Sequence, residues 1–258
     1  MGWFEGILLG IVQGLTEFLP VSSSGHLTIV SYFLNAKESG LTFEVLLHFA
    51  TLISVFICYR KDIWELIKHP FQKYFGLIII ASIPAGIVGV FFGDFFEPLF
   101  QSIWVPTLML LVTATILFLA DRCHGGDRDG KDMTVGMALL IGVAEMFAIC
   151  PGISRSGSTI FMAVLLGISR TEAAKFSFIM SIPVILGSFL LECIDIVQGT
   201  SAFTFTPVYA VAAVVAAVSG ILAIKLVVNL LNRGKFRYFS YYCIGLAGLS
   251  SMLLLLGF

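Results

Sequence analysis

Charge is scarce in this chain of 258 residues: 15 Lys and Arg with 16 Asp and Glu make up 12 %, about half the share that soluble domains carry. Hydrophobic residues account for 58 % and the mean hydropathy is +1.00. A soluble fold could not hide that much apolar surface. Basic excess is missing too: the formal net charge is −1, which excludes the electrostatic footprint of a nucleic-acid binder. The cysteines at 58, 123, 150, 193 and 243 form no CxxC pair and mostly lie in or beside apolar runs. Neither a disulfide framework nor a zinc site is indicated. The opening MGWFEG lacks a basic n-region, which predicts no signal peptide, and Gly6 stands where a myristoylation signal wants Ser or Thr.

Long stretches without Asp, Glu, Lys or Arg are what the chain does have, at 74–93, 98–120, 196–224 and 238–258, with a shorter one at 176–191. A bilayer core of roughly 30 Å needs about 20 apolar helical residues. These runs predict an all-α polytopic membrane protein, a single integral domain over 1–258. Turn and charge clusters at 35–40, 60–73, 93–98, 121–132, 169–175, 192–201 and 232–237 leave full crossings at about 41–59, 76–97, 103–121, 171–193, 206–231 and 238–257. Residues 1–34 instead break at LPVSSSGH, and 133–168 break at CPGISRSGS. Each break leaves an arm of about nine residues, which rises only about 14 Å and cannot cross. The expected fold is six transmembrane helices plus two re-entrant helical hairpins, whose broken backbone needs protein or water around it.

Alternating the crossings puts 60–73, 121–132, 169–175 and 232–237 on one face, with 12 of the 15 basic residues. By the positive-inside rule that face is cytoplasmic and both termini point outward. An internal repeat supports the frame: LLGIVQGLTEFLPVSSSG (8–25) matches LLIGVAEMFAICPGISRSG (139–157), with Pro20 opposite Pro151. Repeat one covers about 1–121 and repeat two about 133–258. One hairpin and three crossings per repeat make the two inverted, so their tips can meet at mid-membrane.

Polar residues inside a membrane are expensive and mark candidate sites. The first tip region holds Gln13, Glu17, Ser22, Ser23, Ser24 and His26; the second holds Glu145, Ser154, Arg155, Ser156, Ser158 and Thr159. Gln13 and Glu17, four apart, share one helical face. Gly25, Gly152 and Gly157 permit tight backbone. Hydroxyls, a guanidinium and helix N-termini describe a phosphate cradle. A carboxylate beside it requires a bridging divalent cation or a moving proton. Blander readings stand beside these: serines bonding the carbonyl one turn back, a structural Glu17–Arg155 pair, an interior hydrogen-bonded His26. Glu145 divides between supporting the site or a cation and a structural role. His48, His69 and His124 read as structural or loop residues, and Glu44 and Lys225 as interfacial.

QGLTEFLPVSSSGH (13–26) and PGISRSGST (151–159) resemble the two signature motifs of the bacitracin-resistance family of undecaprenyl-diphosphate phosphatases, and the likeness in length, hydropathy and layout covers essentially the whole chain. The resemblance implies a membrane hydrolase that converts undecaprenyl diphosphate to undecaprenyl phosphate and phosphate, recycling the carrier lipid for cell-wall synthesis. Its site would open to the outer face of the bacterial cytoplasmic (inner) membrane. It also implies that Glu17, Ser23 and His26, with Ser154, Arg155 and Thr159, form that site. The catalytic set is then Glu17, Ser23, His26 and Arg155. Gln13, Ser22, Ser24, Gly25, Ser154, Ser156, Gly157 and Thr159 bind the lipid diphosphate, and Glu17 is the expected ligand of any Mg²⁺ or Ca²⁺. Gln13 stands where the motif takes Glu or Gln, which leaves one carboxylate fewer for a metal. Three nucleophiles stay open: Ser23 with His26 or Glu17 as base, His26 itself, and a water activated by Glu17. A transporter or flippase for a polyprenyl phosphate or another anion is the rival reading, and a homodimer is admitted.

Overall fold

The computed structural model describes residues 1–36, 41–123, 125–199 and 206–257. His124, read above as a loop residue, lies outside them. The helices in chain order are α1 (Trp3–Phe18), α2 (Ser23–Phe33), α3 (Leu41–Cys58), α4 (Arg60–Lys68), α5 (Lys73–Phe91), α6 (Gly93–Gln101) and α7 (Trp104–Arg122). After a short 3₁₀ turn at Gly130–Asp132 come α8 (Val135–Phe147), α9 (Arg155–Leu165), α10 (Arg170–Gln198), α11 (Pro207–Asn232) and α12 (Phe236–Leu255). Five of these are long and apolar enough to cross a membrane, and six if α3 counts together with α4, which bends 87° away from it. The protein is a polytopic helical membrane protein.

Two expected boundaries move. The crossing placed at 76–97 stops at Phe91, and α6 starts afresh at Gly93, where the turn and charge cluster at 93–98 begins. Conversely, the turn placed at 192–201 is helical to Gln198 and ends where Gly199 turns left-handed at φ 76°. Charged residues in 192–195 mark the polar end of that helix rather than its stop.

Both interrupted segments are pairs of helices broken at the expected stretches. Leu19 is extended and Pro20 follows it, so α1 ends. Ser22 caps α2, its Oγ accepting from Gly25 N at 3.3 Å. In the second segment Ser154 caps α9 in the same way, accepting from Gly157 N at 3.1 Å. Both α2 and α9 have 11 residues, about 16 Å of helix and half a hydrocarbon core.

Packing is tight where small residues allow it. α1 lies along α11 and α8 along α5, while α3 touches both α10 and α11. A Cβ on Gly14 would stand 2.3 Å from the Ala216 carbonyl oxygen, and one on Gly142 would stand 2.1 Å from that of Ala81. Only glycine lets these backbones approach so closely. The largest core is built around α10, where Phe18 meets Phe178 edge to face at 5.4 Å. The outer faces stay apolar: Ile79, Ile83, Ile87 and Val90 on α5, and Val214, Val218, Leu222 and Leu226 on α11, are exposed. Such stripes suit lipid, not water.

Candidate active site

Glu17 occupies the last turn of α1, one turn ahead of the Pro20 break, and is 4 % exposed. A carboxylate this deep needs donors, and four elements supply them. Gln13 Nε2 donates to its Oε2 at 3.0 Å, and Ser23 Oγ, opening α2, donates to the same oxygen at 2.7 Å. His48 of α3 brings Nε2 to 3.3 Å of that oxygen. Arg155, the first residue of α9, donates from Nη2 to Oε1. The acid of one broken segment and the guanidinium of the other are thus a direct ion pair.

The tips also touch through their backbones. Gly152, held at φ 95°, donates from its N to Ser24 Oγ at 3.3 Å, and Ser156 Oγ donates to the Leu19 carbonyl at 3.2 Å. Thr113 of α7 ties the second tip down, donating to the Gly152 carbonyl at 2.8 Å and accepting from Ser154 N at 2.9 Å. Gly25 faces Gly152, since a Cβ on Gly25 would sit 3.2 Å from the Gly152 Cα. Gly157 stands against Ser154 and Pro20.

Beside the ion pair opens a cavity of about 370 Å³. Glu17, Ser23, Ser24 and Arg155 line it, as do Glu44 and His48 of α3, Glu145 of α8, and Ser188, Glu192 and Asp195 of α10. Ile149, Ile153, Val184 and Ile185 contribute apolar wall. Among the described residues Arg155 Nη1 is buried without a hydrogen-bond partner, as are both carboxyl oxygens of Glu145. An orphaned guanidinium nitrogen in a cavity is a vacant donor for an anion.

Of the residues expected at the site, Glu17, Ser23, Ser24 and Arg155 share the cavity, and Gln13 backs Glu17 from within the protein. Ser22 and Ser154 are consumed as helix caps. Thr159 is fully buried, donating to the Arg155 carbonyl at 2.8 Å and paired with Ser177 Oγ at 2.6 Å. His26 does not line the cavity; its Nδ1 donates to the Ser22 carbonyl at 2.7 Å and its Nε2 faces the Tyr242 hydroxyl at 2.8 Å.

Two residues set aside as structural or interfacial are brought in. Glu44 and His48 sit one turn apart on α3 and both line the cavity. His48 Nδ1 faces the Glu44 carbonyl at 2.8 Å while Nε2 faces Glu17, so both ring nitrogens meet acceptors. Two ionisable groups on one face of an otherwise apolar helix were the available signal. His69 stays outside, exposed near Glu65. Among the described residues no group of three His, Cys, Asp or Glu side chains is placed to hold a metal ion, and Glu17 is already occupied by four donors. These donors do not form a metal cage by themselves.

Fold and site together define a membrane protein with a buried acid–hydroxyl–guanidinium cluster beside a cavity. Residues 6–249 match the family model described as Bacitracin resistance protein BacA, and the chain belongs to that family. It is 43 % identical to an undecaprenyl-diphosphatase of Alkaliphilus metalliredigens, over 94 % of this chain and 95 % of the relative. Another undecaprenyl-diphosphatase, from Halothermothrix orenii, is 42 % identical over 93 % of both chains. One called undecaprenyl-diphosphatase 3, from Bacillus cereus, is 40 % identical over 98 % of both.

Proposed function

We propose that this protein hydrolyses undecaprenyl diphosphate to undecaprenyl phosphate and inorganic phosphate, returning the carrier lipid to cell-wall synthesis. One observation carries the reading: Glu17 and Ser23 from the first broken segment meet Arg155 from the second in one cavity, with Arg155 Nη1 unpartnered.

The chemistry follows from that cluster. Arg155 Nη1 takes an oxygen of the terminal phosphoryl group, and the guanidinium shifts part of its bonding from Glu17 to the substrate. That frees Glu17 to accept the hydroxyl proton of Ser23, 2.7 Å away. Ser23 Oγ attacks the terminal phosphorus, the bridging P–O bond breaks, and undecaprenyl phosphate leaves with the proton that Glu17 took from Ser23, which returns Glu17 to its carboxylate. Arg155 offsets charge on the equatorial oxygens during transfer. Water, deprotonated by Glu17, then cleaves the phosphoserine, releasing phosphate and restoring the Ser23 hydroxyl. His26 holds the tip that carries Ser23. Mg²⁺ or Ca²⁺ would be bound by one or two cavity carboxylates together with substrate oxygens, and no step above depends on it.

The same proposal sets the protein in the inner membrane as a single domain with α3, α5, α7, α10, α11 and α12 crossing and α1–α2 and α8–α9 as re-entrant hairpins of two inverted repeats. The matched caps at Ser22 and Ser154 support this, as does the exchange of partners in which α1 lies on α11 and α8 on α5. The cavity draws on the beginning of α3, the end of α10, and Phe100 of α6. Charge bias points all three of those ends outward, so the site opens to the outer face.

Reconstitution into vesicles with labelled undecaprenyl diphosphate tests the reading. Phosphate release is the expected result. Movement of intact lipid across the bilayer with no phosphate released would overturn it in favour of a carrier.

A further inference from the structure

Glu145 sits in the last turns of α8, is 2 % exposed, lines the cavity, and has no hydrogen-bond partner among the described residues on either carboxyl oxygen. A buried carboxylate left this way is destabilising, so its presence calls for a partner that enters from the cavity. The charged and titratable groups it shares that space with are Arg155, Glu17, Glu44 and His48, with Glu192 and Asp195 further along α10. Arg155 acts on it through space without a hydrogen bond between them. Two orphans of opposite kind therefore face one cavity: a donor on Arg155 Nη1 and acceptors on Glu145.

A ligand satisfying both must present an acceptor and a donor. A phosphate bearing a proton does so, with P–O accepting from Arg155 and P–OH donating to Glu145. A fully ionised anion meets the first group and is repelled by the second. We propose that Glu145 accepts a hydrogen bond from a protonated phosphate oxygen and is the residue by which this cavity selects a terminal, hydrogen-bearing phosphate. A phosphodiester has no such hydrogen, whereas the terminal group of a lipid diphosphate and the released inorganic phosphate do. The inference rests on the reading that the cavity takes a diphosphate, and it adds a specificity determinant that neither signature motif contains.

Inorganic phosphate and sulfate are the probes, since they match in shape and sulfate carries no proton at neutral pH. Calorimetric titration of the purified full-length protein in detergent with EDTA, which removes bridging cations, should show phosphate bound roughly tenfold to a hundredfold more tightly than sulfate. Glu145→Gln should shrink the ratio to within about threefold, mainly by admitting sulfate, and Arg155→Ala should abolish binding of both. Equal binding of the two anions by the unmodified protein would overturn the proposal whether or not any variant folds. So would a preference that survives Glu145→Gln. Turnover of undecaprenyl diphosphate by the same protein, freed of EDTA and assayed with Mg²⁺ and with Ca²⁺, separates the two claims. Turnover without anion discrimination removes this inference alone, and discrimination without turnover removes the hydrolase reading alone.

Discussion

The hydroxyl of Tyr242 on α12 lies 2.8 Å from Nε2 of His26, and the two rings stack at 5.5 Å with 9° between their planes. The other ring nitrogen bonds the carbonyl of Ser22, a non-glycine residue held at φ 72° directly before Ser23. Left-handed backbone at such a residue is unfavourable and persists only where its surroundings impose it. His26 therefore clamps the tip and Tyr242 steadies the clamp. His26→Asn, whose amide can replace the Nδ1–H donor, should retain at least about a tenth of the phosphate-release rate. His26→Ala should lose roughly a hundredfold in kcat with little change in KM, and Tyr242→Phe several-fold, in line with one buried hydrogen bond. An Asn variant as inactive as the Ala variant would assign the imidazole an acid–base role instead.

The meeting of the two tips can be tested without turnover. A Cβ built on Gly157 would stand 3.4 Å from Cβ of Pro20, close to the separation in a disulfide. With the five native cysteines replaced, Pro20→Cys with Gly157→Cys should form an intramolecular disulfide under mild oxidation, read by mass spectrometry. Two free thiols after oxidation would contradict the tip-to-tip contact.

Close packing of α1 on α11 predicts an uneven response to added methyl groups. At Gly14 a Cβ would meet Ser219 Oγ at 2.0 Å, whereas at Gly86 it would meet nothing within 4 Å. Gly14→Ala should lower stability by about 1–3 kcal/mol, seen as a lower Tm in detergent. Gly86→Ala should leave Tm nearly unchanged.

His48 adds a fourth donor to Glu17 from a helix outside both motifs. His48→Ala should reduce phosphate release by about tenfold through a less well-positioned carboxylate, and His48→Gln should recover part of it. A His48→Ala enzyme with the full rate would show that the contact is incidental.

Much of the architecture is written locally. Pro20 and Pro151 mark the two breaks, and Ser22 and Ser154 after them cap the next helices, so α2 and α9 and their shortness were legible in the sequence. The break between Phe91 and Gly93 falls where the cluster at 93–98 begins, but that cluster is a new helix rather than a turn, and this was not legible. Within the site, Glu17, Ser23 and Arg155 announce themselves as polar residues clustered around those breaks. His48, Glu44 and Tyr242 do not. Glu44 and His48 share a face of an apolar helix far in sequence from both breaks, and Tyr242 sits among other aromatic residues; only the packing of α3 and α12 around the tips brings them to the site. Thr159 shows the opposite limit: it lies within the motif, yet it faces Ser177 inside the protein rather than the cavity.

The direct test of a hydrolase site shared by the two broken segments is phosphate release from undecaprenyl diphosphate by the purified protein, compared with Glu17→Gln and Arg155→Ala. All three would be matched for folding by circular dichroism and Tm. The prediction is steady release by the unmodified protein and a loss of at least about a hundredfold in each variant. Undiminished release by either folded variant would contradict it.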